Sequence, residues 1–316
     1  MHRIAVLDDY QRVAATYADW SAVRKQADVV YFDDHLSDDD ALVARLEPFD
    51  VVVAMRERTP FPREVLERLP NLKLLVTTGM RNKSIDVAAA NDRGITVCGT
   101  DSHPTGPVEL TWALILAVAR HLPQEDASVR AGGWQETVGT DLAGATLGVI
   151  GLGRLGERVA KVGQAFGMDV VAWSQNLTDE RAAEVGIRKV ERNELFRTAD
   201  VVTVHLVLSD RTRGLIGRDE FARMKPTAIL VNTSRGPIVD EAALLEALNN
   251  GTIAAAGLDV FDTEPLPADH ALRRAPRTVL TPHLGYVTGK TYEVFYRQAV
   301  EDVAAFLSGA PVRLIS

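Results

Sequence analysis

One run of residues implies a chemistry by its spacing alone: Gly151-Leu-Gly-Arg-Leu-Gly156. Three glycines in the pattern G-x-G-x-x-G suit the binding of a dinucleotide pyrophosphate. The first allows a tight turn, the second lets backbone approach the phosphates, and the third lets helix and strand pack closely. Leu147, Val149 and Ile150 lead into the run as a strand would. Leu155, Val159, Val162 and Phe166 follow on one face at helical spacing. The helix then points unpaired N–H groups and a partial positive charge at the anion. Gly151, Gly153 and Gly156, with the backbone N–H groups of Arg154 and Leu155, are therefore the expected phosphate cradle. The other residue with inherent reactivity is Cys98, the only cysteine. It ends an apolar run, Ile95-Thr-Val-Cys98, with no neighbouring histidine to activate it, and is read as buried and inert.

These residues need elements to hold them. Met168 to Trp173 supplies the second strand after the cradle. Ile4–Leu7, Val29–Phe32, Val51–Ala54, Leu72–Val76 and Ile95–Cys98 read as strands before it. Val201–Leu206, Ala228–Asn232, Ala254–Leu258 and Thr278–Leu280 read as strands after it. Helical patterns alternate with them, including Ala41 to Leu46, Pro62 to Leu69 and Asp240–Leu248, where Asp240 is a candidate N-cap. Such alternation predicts parallel, doubly wound α/β sheets. Thr105 to Leu122 reads as one long helix with Pro107 in its first turn. Gln124 to Gly139 reads as a polar, glycine-containing loop around Trp134. A last helix, Thr288 to Leu307, precedes a strand-like tail, Val312–Ile315. Nearly half the chain precedes the cradle and has no phosphate loop, so it is a second α/β domain with another task.

Composition narrows the function classes. The 316 residues are 46% apolar and 25% charged, ordinary for a globular protein, and the length suits two domains. A net charge of −8 gives no support for a nucleic-acid or anionic-membrane partner. The longest apolar stretch, Trp112 to Val118, falls short of the ~18 residues of a membrane span. The chain enters a strand directly, with no signal-peptide pattern. With a single cysteine, this points to a reducing, cytoplasmic location. No His/Cys/Asp cluster has metal-ligand spacing, so no metal is expected.

Several separated motifs, in order, resemble the D-isomer-specific 2-hydroxyacid dehydrogenases. They are Glu109-Leu-Thr-Trp-Ala113, the glycine run, His205-Leu-Val-Leu208, Val231-Asn-Thr-Ser-Arg-Gly236, Gly257-Leu-Asp-Val-Phe-Asp-Thr-Glu-Pro265 and Thr281-Pro-His-Leu-Gly285. The resemblance covers essentially the whole chain. It implies two Rossmann-like domains with the cofactor domain inserted into the other. On this reading residues 1–102 and 288–316 form a flavodoxin-like substrate domain. Residues 103–287 form an NAD(P)-binding Rossmann domain. The implied reaction is hydride transfer between NAD or NADP and the C2 of a small 2-hydroxy or 2-oxo acid.

The same resemblance assigns roles. His283 would exchange the hydroxyl proton, for which imidazole, with an unperturbed pKa of about 6.5, is suited. Glu264 would be its carboxylate partner. Arg235 would clamp the substrate carboxylate and carbonyl. Each lies just past an apolar strand, where α/β sheets bind ligands. Thr233, Ser234, Arg235, Asp259, His283 and Gly285 would adjoin the nicotinamide, and His205 and Leu206 the adenine. Backbone N–H groups of the loop Thr77-Thr-Gly-Met-Arg-Asn82 would hold the substrate carboxylate, with Thr78, Gly79, Met80 and Arg81 at the site. Thr78 is also assigned to the cofactor. The helix from Thr105 and the loop around Trp134 resemble a dimer arm, implying a homodimer.

Two departures bear on specificity. The loop reads Gly79-Met-Arg-Asn-Lys-Ser-Ile-Asp86 where many relatives read Gly-Ala-Gly-Val-Asp-Asn-Ile-Asp. Arg81 and Arg56 are therefore extra cations for an anionic substrate group, or ordinary solvated arginines. At the end of the second Rossmann strand Ser174 stands where NAD-specific relatives carry an acid, which favours NADP or dual use. Two other readings stay open. One is a short-form D-3-phosphoglycerate dehydrogenase, since the chain ends soon after its last helix with no regulatory domain in view. The other is a non-catalytic, nucleotide-sensing corepressor-like protein.

Overall fold

The computed structural model describes residues 1–316. Short apolar runs near the N-terminus form β1 (His2–Val6), β2 (Ala27–Tyr31), β3 (Val51–Ala54), β4 (Leu74–Thr77) and β5 (Thr96–Gly99). They pair in parallel in the order β2-β1-β3-β4-β5. This is the flavodoxin-like doubly wound order. β3 and β4 are buried along their whole length. Helices cover both faces of such a sheet, so its inner strands read as continuous Val/Leu runs rather than alternating ones. Phe49, Phe61, Leu66 and Leu69 fill one face.

The second sheet contains β6 (Thr146–Ile150), β7 (Asp169–Trp173), β8 (Arg188–Lys189), β9 (Val201–Val204), β10 (Ile229–Asn232), β11 (Ala255–Leu258) and β12 (Thr278–Leu280). Its order is β12-β11-β10-β9-β6-β7-β8, all parallel. The winding reverses between β6 and β9, which opens a crevice beyond their carboxyl ends. One face packs on Phe196, Phe221 and Leu244, the other on Trp112, Ile115 and Val159.

The chain divides into two compact units. One comprises Met1–His103 and Val287–Ser316, the other Pro104–Tyr286. The Rossmann unit is thus inserted into the sequence of the first. The last helix, Gly289–Leu307, belongs to the first unit, burying Tyr292, Phe295, Tyr296 and Val303, and the Thr288 side chain caps its N-terminus. Asp240 likewise caps Glu241–Asn249 by accepting from the Ala243 N–H.

Three features differ from the sequence reading. The expected helix over Thr105 to Leu122 stops at Ala119, and a second helix runs Leu122–Arg130 through the segment read as a loop. Pro123 is the cause. It cannot donate to the Ala119 carbonyl four residues back, and its ring would clash there. His121 turns the chain with φ 51°, and the Ala119 carbonyl accepts from the Thr140 N–H instead. The two-residue β8 is too short for a periodic signal. The tail Val312–Ile315 makes only a single antiparallel bridge, Leu314 to Cys98, with the Ile315 N–H donated to the Val97 carbonyl. No helix is long and apolar enough to cross a membrane.

Candidate active site

The glycine run turns from β6 into the helix Arg154–Ala165. Gly151 has φ +99°, and a Cβ there would lie 2.6 Å from the His205 carbonyl oxygen. A Cβ on Gly156 would lie 2.0 Å from the Gly151 carbonyl oxygen. Only glycine allows the two approaches: at Gly151 the loop after β6 meets the loop after β9, and at Gly156 the helix packs against the loop after β6 itself. Gly153 is different. Nothing lies within 4 Å of where its Cβ would be. It is the exposed N-cap of the helix, and no side chain caps it. The first N–H groups of the helix therefore face an open cradle at the switch point of the sheet. That geometry fits the pyrophosphate of a dinucleotide.

The residues expected on the adenine side lie in the loops after β9 and β7. His205 follows β9, and its Nε2 meets the Thr203 hydroxyl at 2.9 Å. Burial pushes its pKa down to about 4, so the ring is neutral at pH 7. The Leu206 carbonyl accepts from the Ser234 hydroxyl, which ties this loop to the one after β10. Ser174, directly after β7, is partly exposed and is followed in sequence by the neutral Gln175 and Asn176.

The loops after β10, β11 and β12 carry the residues assigned to chemistry. Asn232 organises the first. Its Oδ1 accepts from the Ser234 N–H and its Nδ2 donates to the Arg235 carbonyl. The Arg235 Nη1 donates to the Ser234 carbonyl at 2.7 Å. Gly236 follows because a Cβ there would lie 2.1 Å from the Phe261 carbonyl carbon. The Thr233 hydroxyl pairs with that of Thr111 at 2.7 Å.

Glu264 is held twice. Its Oε1 accepts from the Phe261 N–H at 2.9 Å and its Oε2 meets His283 Nδ1 at 2.6 Å. It is a fixed partner rather than a solvated loop carboxylate. The carboxylate keeps the proton on Nδ1, so Nε2 is the atom left to exchange one. Parallel neighbours lie about 4.8 Å apart, so the strand feeding Arg235 lies only about 10 Å from the one feeding His283. A guanidinium and an imidazole thus share one edge of the sheet.

His283 sits in the left-handed region, φ 52°. Asp259 explains how it stays there. This residue is fully buried. Its backbone carbonyl accepts from the His283 N–H at 2.8 Å. Its carboxylate accepts from the Thr281 hydroxyl at 2.6 Å, the Leu284 N–H at 2.6 Å and the Gly285 N–H at 2.9 Å. Burial pushes the Asp259 carboxyl up, against the pull of the Thr281 hydroxyl and loop N–H donors. The sequence reading placed Asp259 beside the nicotinamide. The structure spends its carboxylate on the loop that carries His283. A second contact was not legible: Tyr286 packs edge-to-face on His283 with ring centroids 5.3 Å apart. Its only sequence signal is an aromatic three residues past the histidine.

In the first unit, the loop after β4 is tied down more than expected. The Thr78 N–H donates to the Ala54 carbonyl, and the Gly79 N–H to the Thr100 hydroxyl. Both N–H groups are thus bonded within the unit. Thr78 is fully buried, and its hydroxyl accepts from the Arg56 N–H, so it offers no free side chain to cofactor or substrate. Arg56 (φ 52°) donates from Nη1 to the Thr78 carbonyl and lies over Gly79, where a Cβ would meet Nη1 at 1.8 Å. Met80 and Arg81 are exposed. Cys98 is buried, and burial pushes its thiol up to about 12, so it is not a nucleophile at neutral pH.

A doubly wound parallel sheet with a glycine-lined turn at its switch point defines the class as a dinucleotide-binding Rossmann fold. Residues 112–285 match the model of the D-isomer specific 2-hydroxyacid dehydrogenase, NAD binding domain. The chain belongs to that family. It is similar to the hydroxypyruvate reductase of Blautia hydrogenotrophica, 32% identical over 99% of both chains. It is 38% identical to the D-3-phosphoglycerate dehydrogenase of Bacillus subtilis over 84% of this chain and 51% of that protein. The chain spans about half the length of the phosphoglycerate dehydrogenases it matches. The crystal structure of a phosphoglycerate oxidoreductase from Vibrio cholerae superposes with a TM-score of 0.92 at 39% identity, covering 98% of this chain and all of that one.

Proposed function

We propose that this protein interconverts a small 2-oxo acid and its D-2-hydroxy acid with NAD or NADP. The observation that carries the reading is the His283–Glu264 pair, 2.6 Å apart, on the sheet edge that also presents Arg235. When bound, the nicotinamide supplies or accepts the hydride. The cradle of Gly151, Gly153 and Gly156 would hold its pyrophosphate. Arg235 orients the substrate carboxylate and polarises the 2-oxo group. In reduction, His283 Nε2 gives a proton to the oxygen at C2, and Glu264 stabilises the charged ring before that step. In oxidation the same atom takes the proton back. The first unit is proposed to select the substrate, with Arg81 as a candidate cation for a second anionic group.

Ser174 leaves the ribose pocket without the carboxylate that repels a 2′-phosphate, so NADP is proposed to be used at least as well as NAD. A homodimer is proposed through the helix Leu122–Arg130 and the loop after it. Leu122, Val129, Trp134 and Val138 are exposed there, beyond what an unpartnered surface favours. A reducing, cytoplasmic setting is proposed from the single buried thiol. The test is a panel of glyoxylate, hydroxypyruvate, pyruvate and 3-phosphohydroxypyruvate with NADH and NADPH, followed at 340 nm. Turnover of at least one, abolished in H283N, is expected. Tight cofactor binding without turnover would refute the enzymatic reading and favour a nucleotide sensor. A preference for NADH of about a hundredfold would refute the NADP assignment.

A further inference from the structure

His283 is restrained at three places, and the proposed function explains only two. The backbone is fixed by Asp259, and Nδ1 by Glu264. A ring held by a single hydrogen bond can still tilt about that bond and swing Nε2 away from its target. The third restraint is Tyr286. The turn Leu284-Gly285 brings this side chain back over the imidazole, with ring centroids 5.3 Å apart and planes at 70°. Both values lie in the range that edge-to-face aromatic pairs prefer. The Tyr286 ring is itself buried, at 9% exposure, so it forms a fixed wall rather than a mobile flap. A polar side chain in that place would offer the imidazole a rival hydrogen-bond partner and weaken the preference for Glu264. The ring carbons of Tyr286 offer no conventional hydrogen-bond acceptor to compete with Glu264.

We propose that Tyr286 is a positioning residue for His283, walling one side of the imidazole so that Nδ1 stays on Glu264 and Nε2 keeps one direction toward the reacting oxygen. The inference rests on the role of His283 proposed above. It predicts that the direction of the imidazole depends on the aromatic ring.

The test compares Y286F, Y286L and Y286A with the wild type in steady-state reduction of the best 2-oxo acid. A second readout, nitrogen-15 NMR of the histidine rings, requires no turnover. Y286F, which keeps the ring, should lie closest to wild type. Y286L and Y286A should lose about ten- to a hundredfold in kcat, the scale set by misplacing a reacting group by an ångström or less. KM and the cofactor Kd should change far less. In the spectra His283 should show one Nδ1-protonated form in the wild type and Y286F, and a mixture in Y286L and Y286A. Wild-type kcat in Y286A would overturn the proposal, as would a rise in KM alone, which would mark the ring as substrate lining. An unchanged His283 spectrum in Y286L would also overturn it. If the wild type turns over no 2-oxo acid, the proposed function fails, and the spectra still decide whether Tyr286 fixes the ring.

Discussion

Replacing Asp259 should disable the site without touching any residue assigned to proton transfer. In D259A the N–H groups of Leu284 and Gly285 lose their acceptor, and so does the Thr281 hydroxyl. The hydroxyl can rotate to another partner, but the two N–H groups cannot. Each buried donor left unsatisfied costs about 1–3 kcal/mol, so the loop loses about 2–6 kcal/mol. Part of this is returned, because burial already disfavours the Asp259 carboxylate. The loop must also hold His283 at φ 52°, which costs an L-residue about 1–2 kcal/mol. With its clamp gone, the cheaper course is for His283 to relax toward extended backbone, taking Nδ1 off Glu264. A net 2–3 kcal/mol corresponds to a kcat lower by about 30- to 150-fold. D259N should fall between. Its oxygen can serve Thr281 and Leu284, but its amide then faces the Gly285 N–H, donor against donor. The assay is kcat for 2-oxo acid reduction at saturating cofactor, with urea unfolding of each variant in parallel. If D259A keeps kcat within about threefold and instead weakens cofactor binding, the clamp argument is wrong and the carboxylate serves the nicotinamide side.

Three further outcomes follow from the same geometry. E264Q leaves Nδ1 facing an amide that can present a donor instead of an acceptor, so kcat for reduction should fall by about ten- to a hundredfold with KM nearly unchanged; wild-type kcat would contradict the pairing. G153A places a methyl in open space at an ordinary φ of −83°, so its melting temperature should hold while the dinucleotide Kd rises; G156A, whose Cβ would strike the Gly151 carbonyl oxygen at 2.0 Å, should lose both, and calorimetry with NAD and NADP checks the contrast. Asp302 is fully buried beside Arg313, and burial pushes its carboxyl up to about 7, outweighing that guanidinium. A raised folded-state pKa contributes stability that is complete below the unfolded value near 3.8 and is lost as pH rises through about 7. Denaturant unfolding should therefore show a loss on the order of a few kcal/mol between pH 4 and 8 that D302N lacks; equal slopes for both proteins would refute it.

The parts of this molecule legible in the sequence are those where one local rule decides. β3 and β12 were bounded correctly because a short apolar run between turn residues has few alternatives inside a parallel sheet. The cradle was legible because each glycine answers a different steric demand. What stayed hidden depended on contacts between residues distant in the chain, or on an exception to a local rule. Pro123 marked a helix break, but it could equally have opened a loop, and only the Thr140 N–H on the Ala119 carbonyl shows how the break is satisfied. Thr78 and Gly79 looked available because nothing nearby in sequence names Ala54 and Thr100 as the acceptors that consume their N–H groups.

The site itself divides the same way, and the division is instructive. Arg235, Glu264 and His283 stand out through the family motifs they sit in, and the roles proposed for them are a cation, a partner and a proton carrier. The residues that make them work have no such signature. An aspartate before Val-Phe reads as a ligand or a turn cap, and a tyrosine after Leu-Gly reads as core. Yet a histidine in the left-handed region is an uncommon, strained choice for a residue with a Cβ, and it persists only where surrounding contacts over-determine it. Asp259 supplies those contacts to the backbone and Glu264 to the ring. The strain at His283 is therefore the structural sign that this loop is held for a purpose, and it ties the imidazole's direction to a carboxylate that never needs to touch the substrate.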